Sequence, residues 1–188
     1  MRSRFVAVAT ALSVAATGAV FTAPAASAEG GRFSAVVTTF QDHPHGSAVT
    51  YDTRLVPVGA LAAVAVHRSD TGTVTELRVH GLSPNRSYGA HAHVAPCGAT
   101  GEDAGPHFQH VEDPNQPSTD PAYANPENEI WLDFTTDDYG AGEARSEVAW
   151  TVDDRRPASV VIHEHTTSTE DGAAGTAGRR LACINASF

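Results

Sequence analysis

Histidine is the side chain with the most chemistry to offer in this sequence. There are 10 in 188 residues, and four of them stand where a metal site would use them. His91-Ala92-His93 puts two imidazoles at positions i and i+2 of a predicted strand. The two-residue period of a strand points both to one face, with Cα atoms about 7 Å apart, which suits two ligands of one metal. His107 lies in Ala104-Gly105-Pro106-His107-Phe108, inside a long loop, and His163 closes a separate predicted run, Val160-Val161-Ile162-His163-Glu164. If Val160 and Ile162 face a core, alternation turns His163 the other way, toward covering loops. Singly, each of these is an ordinary surface or hydrogen-bonded histidine. Together they form a candidate ligand set.

The elements that must position them are strands. Short β-type runs recur between turn signals at Phe33–Phe40, Ala60–His67, Thr73–His80, Tyr88–Val94, Ile130–Thr136, Glu143–Thr151, Ala158–Glu164 and Arg180–Phe188. No run has helical periodicity over ten or more residues. Eight short strands without helices predict an all-β, antiparallel sandwich or barrel. Two stretches do not fit strands. Pro96 to Asn128 holds six prolines, and Thr166 to Arg179 is rich in Thr, Gly and Ala. Loops of this length in a domain this small are expected to carry function.

Composition removes several function classes. All 12 basic residues are arginine, set against 22 Asp and Glu, for a formal charge of -10. Binding through phosphate contacts is disfavoured, so no nucleic-acid partner is expected. A lysine nucleophile, Schiff base or P-loop lysine is impossible. The start of the chain reads as a secretory signal peptide over residues 1–28: Arg2 and Arg4, an apolar run from Phe5 to Phe21, then Ala26-Ser27-Ala28 as a cleavage site. Gly18, Thr22 and Pro24 interrupt the apolar run and no stop-transfer charges follow, so it is not a membrane anchor. Cleavage near Ala28 leaves residues 29–188 as one acidic domain, secreted or held in the cell envelope. Export and an even cysteine count favour one disulfide, Cys97–Cys183, over two buried thiols. No sequence feature specifies an oligomeric state.

The order of the motifs resembles the copper–zinc superoxide dismutase family. The matching pieces are His91-Ala92-His93, Cys97, Ala104 to Phe108, Val160 to Glu164, and Gly178 to Cys183, preceded by Gly81-Leu82 and Tyr88-Gly89-Ala90. The resemblance covers roughly Ala60 to Phe188, and it implies an eight-stranded Greek-key sandwich or barrel with two functional loops. It further implies that His91, His93, His107 and His163 are copper ligands, with His107 the bridging histidine that doubles as a proton donor. By the same resemblance Cys97–Cys183 is the intrachain disulfide, and Arg180 is the channel arginine that attracts superoxide. The implied cofactor is one copper per chain. The implied activity is conversion of superoxide to dioxygen and hydrogen peroxide. Copper fits the residue types, because Cu(II) heads the affinity order for nitrogen sites and cycles between two oxidation states.

The pattern breaks at the zinc site. The family takes two later histidines and an aspartate after the bridging histidine, but here only His110 follows His107 before Trp131, and Asn125-Pro126-Glu127-Asn128-Glu129 occupies the place of the last two ligands. A three-histidine zinc site cannot be assembled from this segment. What remains is a weak second grouping of His107, His110 and Asp113, with Glu127 or Glu129 as fourth ligand. Copper alone is the expected cofactor. The last loop is also short, with Arg179 and Arg180 its only permanent cations. His165 is either a partner of the ligands or solvated, and His43-Pro44-His45 is either a polar turn or an accessory copper-capture site. A rival function is a non-catalytic copper-binding or structural extracellular domain on the same sandwich.

Overall fold

Hydrophobic alternation builds the first half of the molecule. The computed structural model describes residues 32–152 and 154–188, so the expected signal peptide lies outside the described residues. Its strands are β1 Arg32–Gln41, β2 Ala48–Thr50, β3 Leu61–Ser69, β4 Gly72–His80, β5 Ser87–His93, β6 Phe134–Thr135, β7 Gly142–Val148, β8 Ser159–His163 and β9 Arg180–Asn185. In β3, Ala62, Val64 and Val66 are buried while Leu61 and His67 face out; in β4, Leu77 and Val79 are buried while Arg78 and His80 face out. This is the period-2 pattern of a sheet with one face on a core.

The strand order is β6-β5-β8-β9-β2-β1-β3-β4-β7. One layer is the antiparallel set β1, β3, β4 and β7, and the other is β5, β8, β9 and β2. At the ends of the sheet Gly142 of β7 lies against Phe134 of β6, so the sheet nearly closes into a barrel. The shared core includes Phe40, Leu77, Ile162, Leu181 and Ile184. It also holds Tyr88, stacked on Phe134 at 5.1 Å between ring centroids. Each such buried side chain contributes about 1.5–3 kcal/mol over its exposed state.

The all-β expectation holds, with nine strands rather than eight. The additional one, β2, has three residues, all buried, and is too short for alternation to register in the sequence. It pairs antiparallel with β9 but parallel with β1, through Phe40↔Ala48 and Gln41↔Val49, so the sheet is not wholly antiparallel. The strand expected over Ile130–Thr136 shrinks to Phe134–Thr135. Upstream of it the backbone makes only isolated bridges, His91↔Trp131 and Gln109↔Glu129, because it docks along β5 and the long loop. β7 ends at Val148 and β9 at Asn185, both short of their expected ends.

The long loop from Pro96 to Asn128 contains a single 3-10 turn, Gly101–Ala104. Ala104 packs with Val161 and Cys183 in a small second apolar cluster on the outer face of β8 and β9. The Cys97–Cys183 disulfide is formed there and ties the loop to β9. No helix among the described residues is long and apolar enough to cross a membrane. A Cys97→Ser/Cys183→Ser double variant should lose about 2–4 kcal/mol of stability in urea denaturation, the usual effect of opening a long covalent loop. Hydrogen exchange in that variant should rise first around residues 98–108 and last in β3 and β4. Unchanged protection of the loop would show that backbone docking alone holds it.

Candidate metal centre

β5 is buried on both faces, and this positions two of the histidines. Ala90 and Ala92 belong to the central core, while His91 and His93 point the other way and are fully buried beneath the loops. The long loop docks on the same strand: Phe108 N–H donates to Ala92 O at 2.9 Å and Val94 N–H to Pro106 O at 3.2 Å. His107 thereby comes to lie opposite His93. The loop can approach so closely because residue 105 is glycine at φ 71°; a Cβ there would sit 2.8 Å from Val94 Cγ2. β8 pairs with β5 so that His163 faces Gly89, completing the set from the other side. One nitrogen from each of His91, His93, His107 and His163 lies within 4.8 Å of the others.

The outer nitrogen of each ring fixes what the inner one is. His93 Nδ1 lies 2.9 Å from Gly105 O, and His163 Nδ1 lies 3.5 Å from Gly178 O. A carbonyl only accepts, so both Nδ1 atoms carry the proton and both Nε2 atoms are bare. Those bare atoms stand 3.3 Å apart, lone pair toward lone pair. His107 Nδ1 donates to Glu129 Oε2 at 2.8 Å, again leaving Nε2 bare. His91 differs: its Nε2 is engaged, and its Nδ1 is buried with no hydrogen-bond partner. Four electron-pair donors around one point, one of them an orphaned buried atom, fit a bound cation and little else. An all-imidazole donor set suits copper or zinc. Burial, reinforced by the neighbouring rings, pushes His91 and His93 well below the ordinary imidazole range. The same two causes bring His163 down to about 3.

His107 is the ring that meets solvent, with 17% of its side chain exposed. It opens onto a cleft of about 180 Å³ lined also by His163, Arg180, Gln116, Ser118 and Thr176. Arg180 is brought there by register, since it stands opposite His163 across β8 and β9 after a register shift at Ile162/His163. Its Nη1 donates to Gly101 O at 2.8 Å, and a Cβ on Gly101 would strike the Arg180 side chain at 2.6 Å. Arg179 points elsewhere: it donates to Glu164 at 2.8 and 2.9 Å and lies 3.4 Å from Asp52. Of the two arginines, only Arg180 lines the cleft.

No family model matches the chain, and no curated protein matches it in sequence. Solved structures do match. The Cu/Zn superoxide dismutase from Brucella abortus superposes with a TM-score of 0.54 at 16% identity, covering 81% of this chain and 99% of its own. Two mutants of a SOD-like protein from Bacillus subtilis superpose at 0.53 and 0.51, each 18% identical and covering 74% of this chain. They cover 96% and 97% of their own chains; one carries a proline-to-histidine change and the other adds a tyrosine-to-histidine change. The fold is that of the superoxide dismutases.

On that superoxide dismutase fold, the second grouping does not assemble. Among the described residues, the four histidines form the one cluster with metal-ligand spacing. His110 is exposed and stacks on Trp150 at 4.9 Å. The Asp113 carboxylate is taken by Ser118 Oγ at 2.6 Å and Asn115 N at 2.8 Å. Glu127 is exposed. His165 is solvated, with 68% of its side chain exposed. His43 and His45 lie on the exposed turn between β1 and β2 and join no cluster. Glu129, which the sequence offers as a fourth ligand of that grouping, is instead 1% exposed and accepts from His107, Gln109 and Trp131 at 2.7–2.8 Å.

The depressed histidines fix how the metal-free protein responds to acid. Unfolded histidines bind protons near 6.5, whereas His163 in the folded state resists until about 3. Over that window the unfolded chain binds more protons, so stability is complete above the unfolded value and falls as pH drops. The melting temperature of metal-free protein should therefore decrease from pH 7 to pH 5. The slope should be shallower in His163→Asn; equal slopes by calorimetry would mean that His163 is not held neutral.

Proposed function

We propose that this chain is an exported, copper-dependent superoxide dismutase that converts two superoxide ions and two protons to dioxygen and hydrogen peroxide. The observation that carries this reading is the convergence of four bare imidazole nitrogens beside a cleft lined by two of their rings, His107 and His163, together with Arg180. His91 Nδ1 and the Nε2 atoms of His93, His107 and His163 are the atoms that would hold the ion. Bound copper supplies the one-electron exchange that no side chain here can provide.

The chain supplies the rest. Arg180 gives a local positive potential in a protein of net charge -10, and a focused local field steers an anion despite an adverse total. His107 reaches the cleft with Nδ1–H pinned by Glu129, so its Nε2, when it is not holding the ion, is the atom placed to take a proton from solvent and release it to the reduced product. The Glu129 carboxylate offsets the imidazolium charge while that proton is held. Export is supported by the leader-like residues 1–28 and by the disulfide. The purified exported protein should therefore begin near Glu29. The alternative, a non-catalytic copper-binding or structural domain, is supported by the occurrence of this fold in a protein described only as SOD-like. Arg180 in the cleft favours catalysis, because a carrier needs no anion guide.

The deciding experiment is metal analysis and superoxide removal on one sample of the exported protein, beside two variants. Wild type should carry about one copper per chain and be active. His163→Ala should lose most copper and all activity while keeping the disulfide-linked fold; full copper in that variant would remove His163 from the ligand set. Arg180→Glu should keep its copper yet lose activity by about one to two orders of magnitude. The deficit should shrink with added salt, as screening acts over about 8–10 Å. Copper-loaded wild type without activity, or full activity in Arg180→Glu, would favour the non-catalytic domain.

A further inference from the structure

His91 stands apart from its three neighbours, because its Nδ1 is buried without a partner and its other nitrogen meets a side-chain hydroxyl instead of a carbonyl or carboxylate. His91 Nε2 is 2.6 Å from Thr167 Oγ1, and Thr167 Oγ1 is in turn 2.6 Å from Asp133 Oδ1. The second oxygen of Asp133 accepts from Thr167 N at 2.7 Å, and Oδ1 also accepts from Ala90 N at 3.2 Å. Asp133 sits just before β6, Ala90 immediately precedes His91 on β5, and Thr167 belongs to the last loop, four residues beyond His163.

A hydroxyl has one proton to give, and an ionised carboxylate can only accept. Thr167 therefore spends its proton on Asp133, and its oxygen faces His91 Nε2 as an acceptor. That contact requires Nε2–H, which leaves Nδ1 bare. Nδ1 is the buried atom without a partner. We propose that Thr167 and Asp133 are positioning residues that lock His91 into the Nε2–H tautomer and thereby make its Nδ1 the donor atom toward the metal. Without the relay, the buried ring is free to take either tautomer, and the Nδ1–H form presents a proton to the metal instead of a lone pair. Partners of this kind on the far nitrogen of a ligating histidine typically change metal affinity by about 10–100-fold. The assignment of Nδ1 as a donor to copper rests on the function proposed above; the tautomer itself does not.

The test uses the mature protein, wild type beside Thr167→Val and Thr167→Ser. Valine keeps the shape of threonine and the Thr167 N–H bond to Asp133 but has no hydroxyl, while serine restores the hydroxyl. Long-range ¹H–¹⁵N spectra of the metal-free proteins report the tautomer of His91, and Cu(II) titration against a chelator reports affinity. Wild type and Thr167→Ser should show His91 as Nε2–H; Thr167→Val should show Nδ1–H populated and bind Cu(II) at least tenfold more weakly. A folded Thr167→Val that keeps the Nε2–H tautomer and wild-type affinity overturns the proposal. A wild type that binds no copper while Thr167→Val shifts the tautomer overturns the copper reading and leaves the relay standing.

Discussion

Four imidazoles with donor atoms inside 4.8 Å of one another are the constraint on which the rest of this structure depends. Each ring carries one N–H that must be paired, and each bare nitrogen must face inward. The acceptors that enforce this come from different parts of the chain: Gly105 O from the long loop, Gly178 O from the last loop, Glu129 from the segment before β6, and Thr167 with Asp133 behind it. A short loop could not deliver acceptors to every side of one buried cluster. The two long loops are the means of doing so, and the disulfide and the hydrogen bonds along β5 hold the first of them in register.

The sandwich beneath is largely indifferent to this demand. β1, β3, β4 and β7 bury one apolar face and leave the other to solvent, with Arg78–Glu143 and Arg145–Glu147 pairs on the outside. Exposed pairs of this kind contribute little, so that layer is stabilised by its core. The other layer carries the chemistry. β5 and β8 are buried on both faces, apolar toward the core and histidine-bearing toward the loops. Separating the two tasks lets the site hold orphaned polar atoms without a matching defect in the core.

What was legible in the sequence follows the same division. Alternation located β3 and β4 nearly to the residue, and the His91–His93 spacing together with the motif order found the ring cluster, because those signals are local. β2 has three residues and no room for a period. Ile130–Thr136 has strand composition but spends most of its backbone on β5 and the long loop, which only tertiary contacts decide. Thr167 looks like an ordinary loop residue, and the sequence offers Glu129 only as an alternative fourth ligand of the second grouping; what gives each its place is a partner 76 residues away in one case and 22 in the other. His110 misled for the converse reason. Its position in the chain suits a ligand, but its ring found a better neighbour in Trp150.

Glu129 also changes the kind of base His107 can be. A metal on Nδ1 would strip that nitrogen of its proton, and the ring would cycle between imidazolate and neutral imidazole. A carboxylate on Nδ1 does the reverse: it favours keeping the proton there, so under the proposed function the ring would cycle between neutral imidazole and imidazolium. Imidazolium is the costlier species to bury, and two features of the site reduce that cost. The Glu129 carboxylate lies 2.8 Å away and is also held by Gln109 and Trp131. His107 is also the member of the cluster with 17% of its side chain exposed, while His91 and His93 are sealed. The ring that the proposed function asks to take up charge is therefore the one given both a carboxylate partner and a route to water, while burial holds the other three well below the ordinary imidazole range.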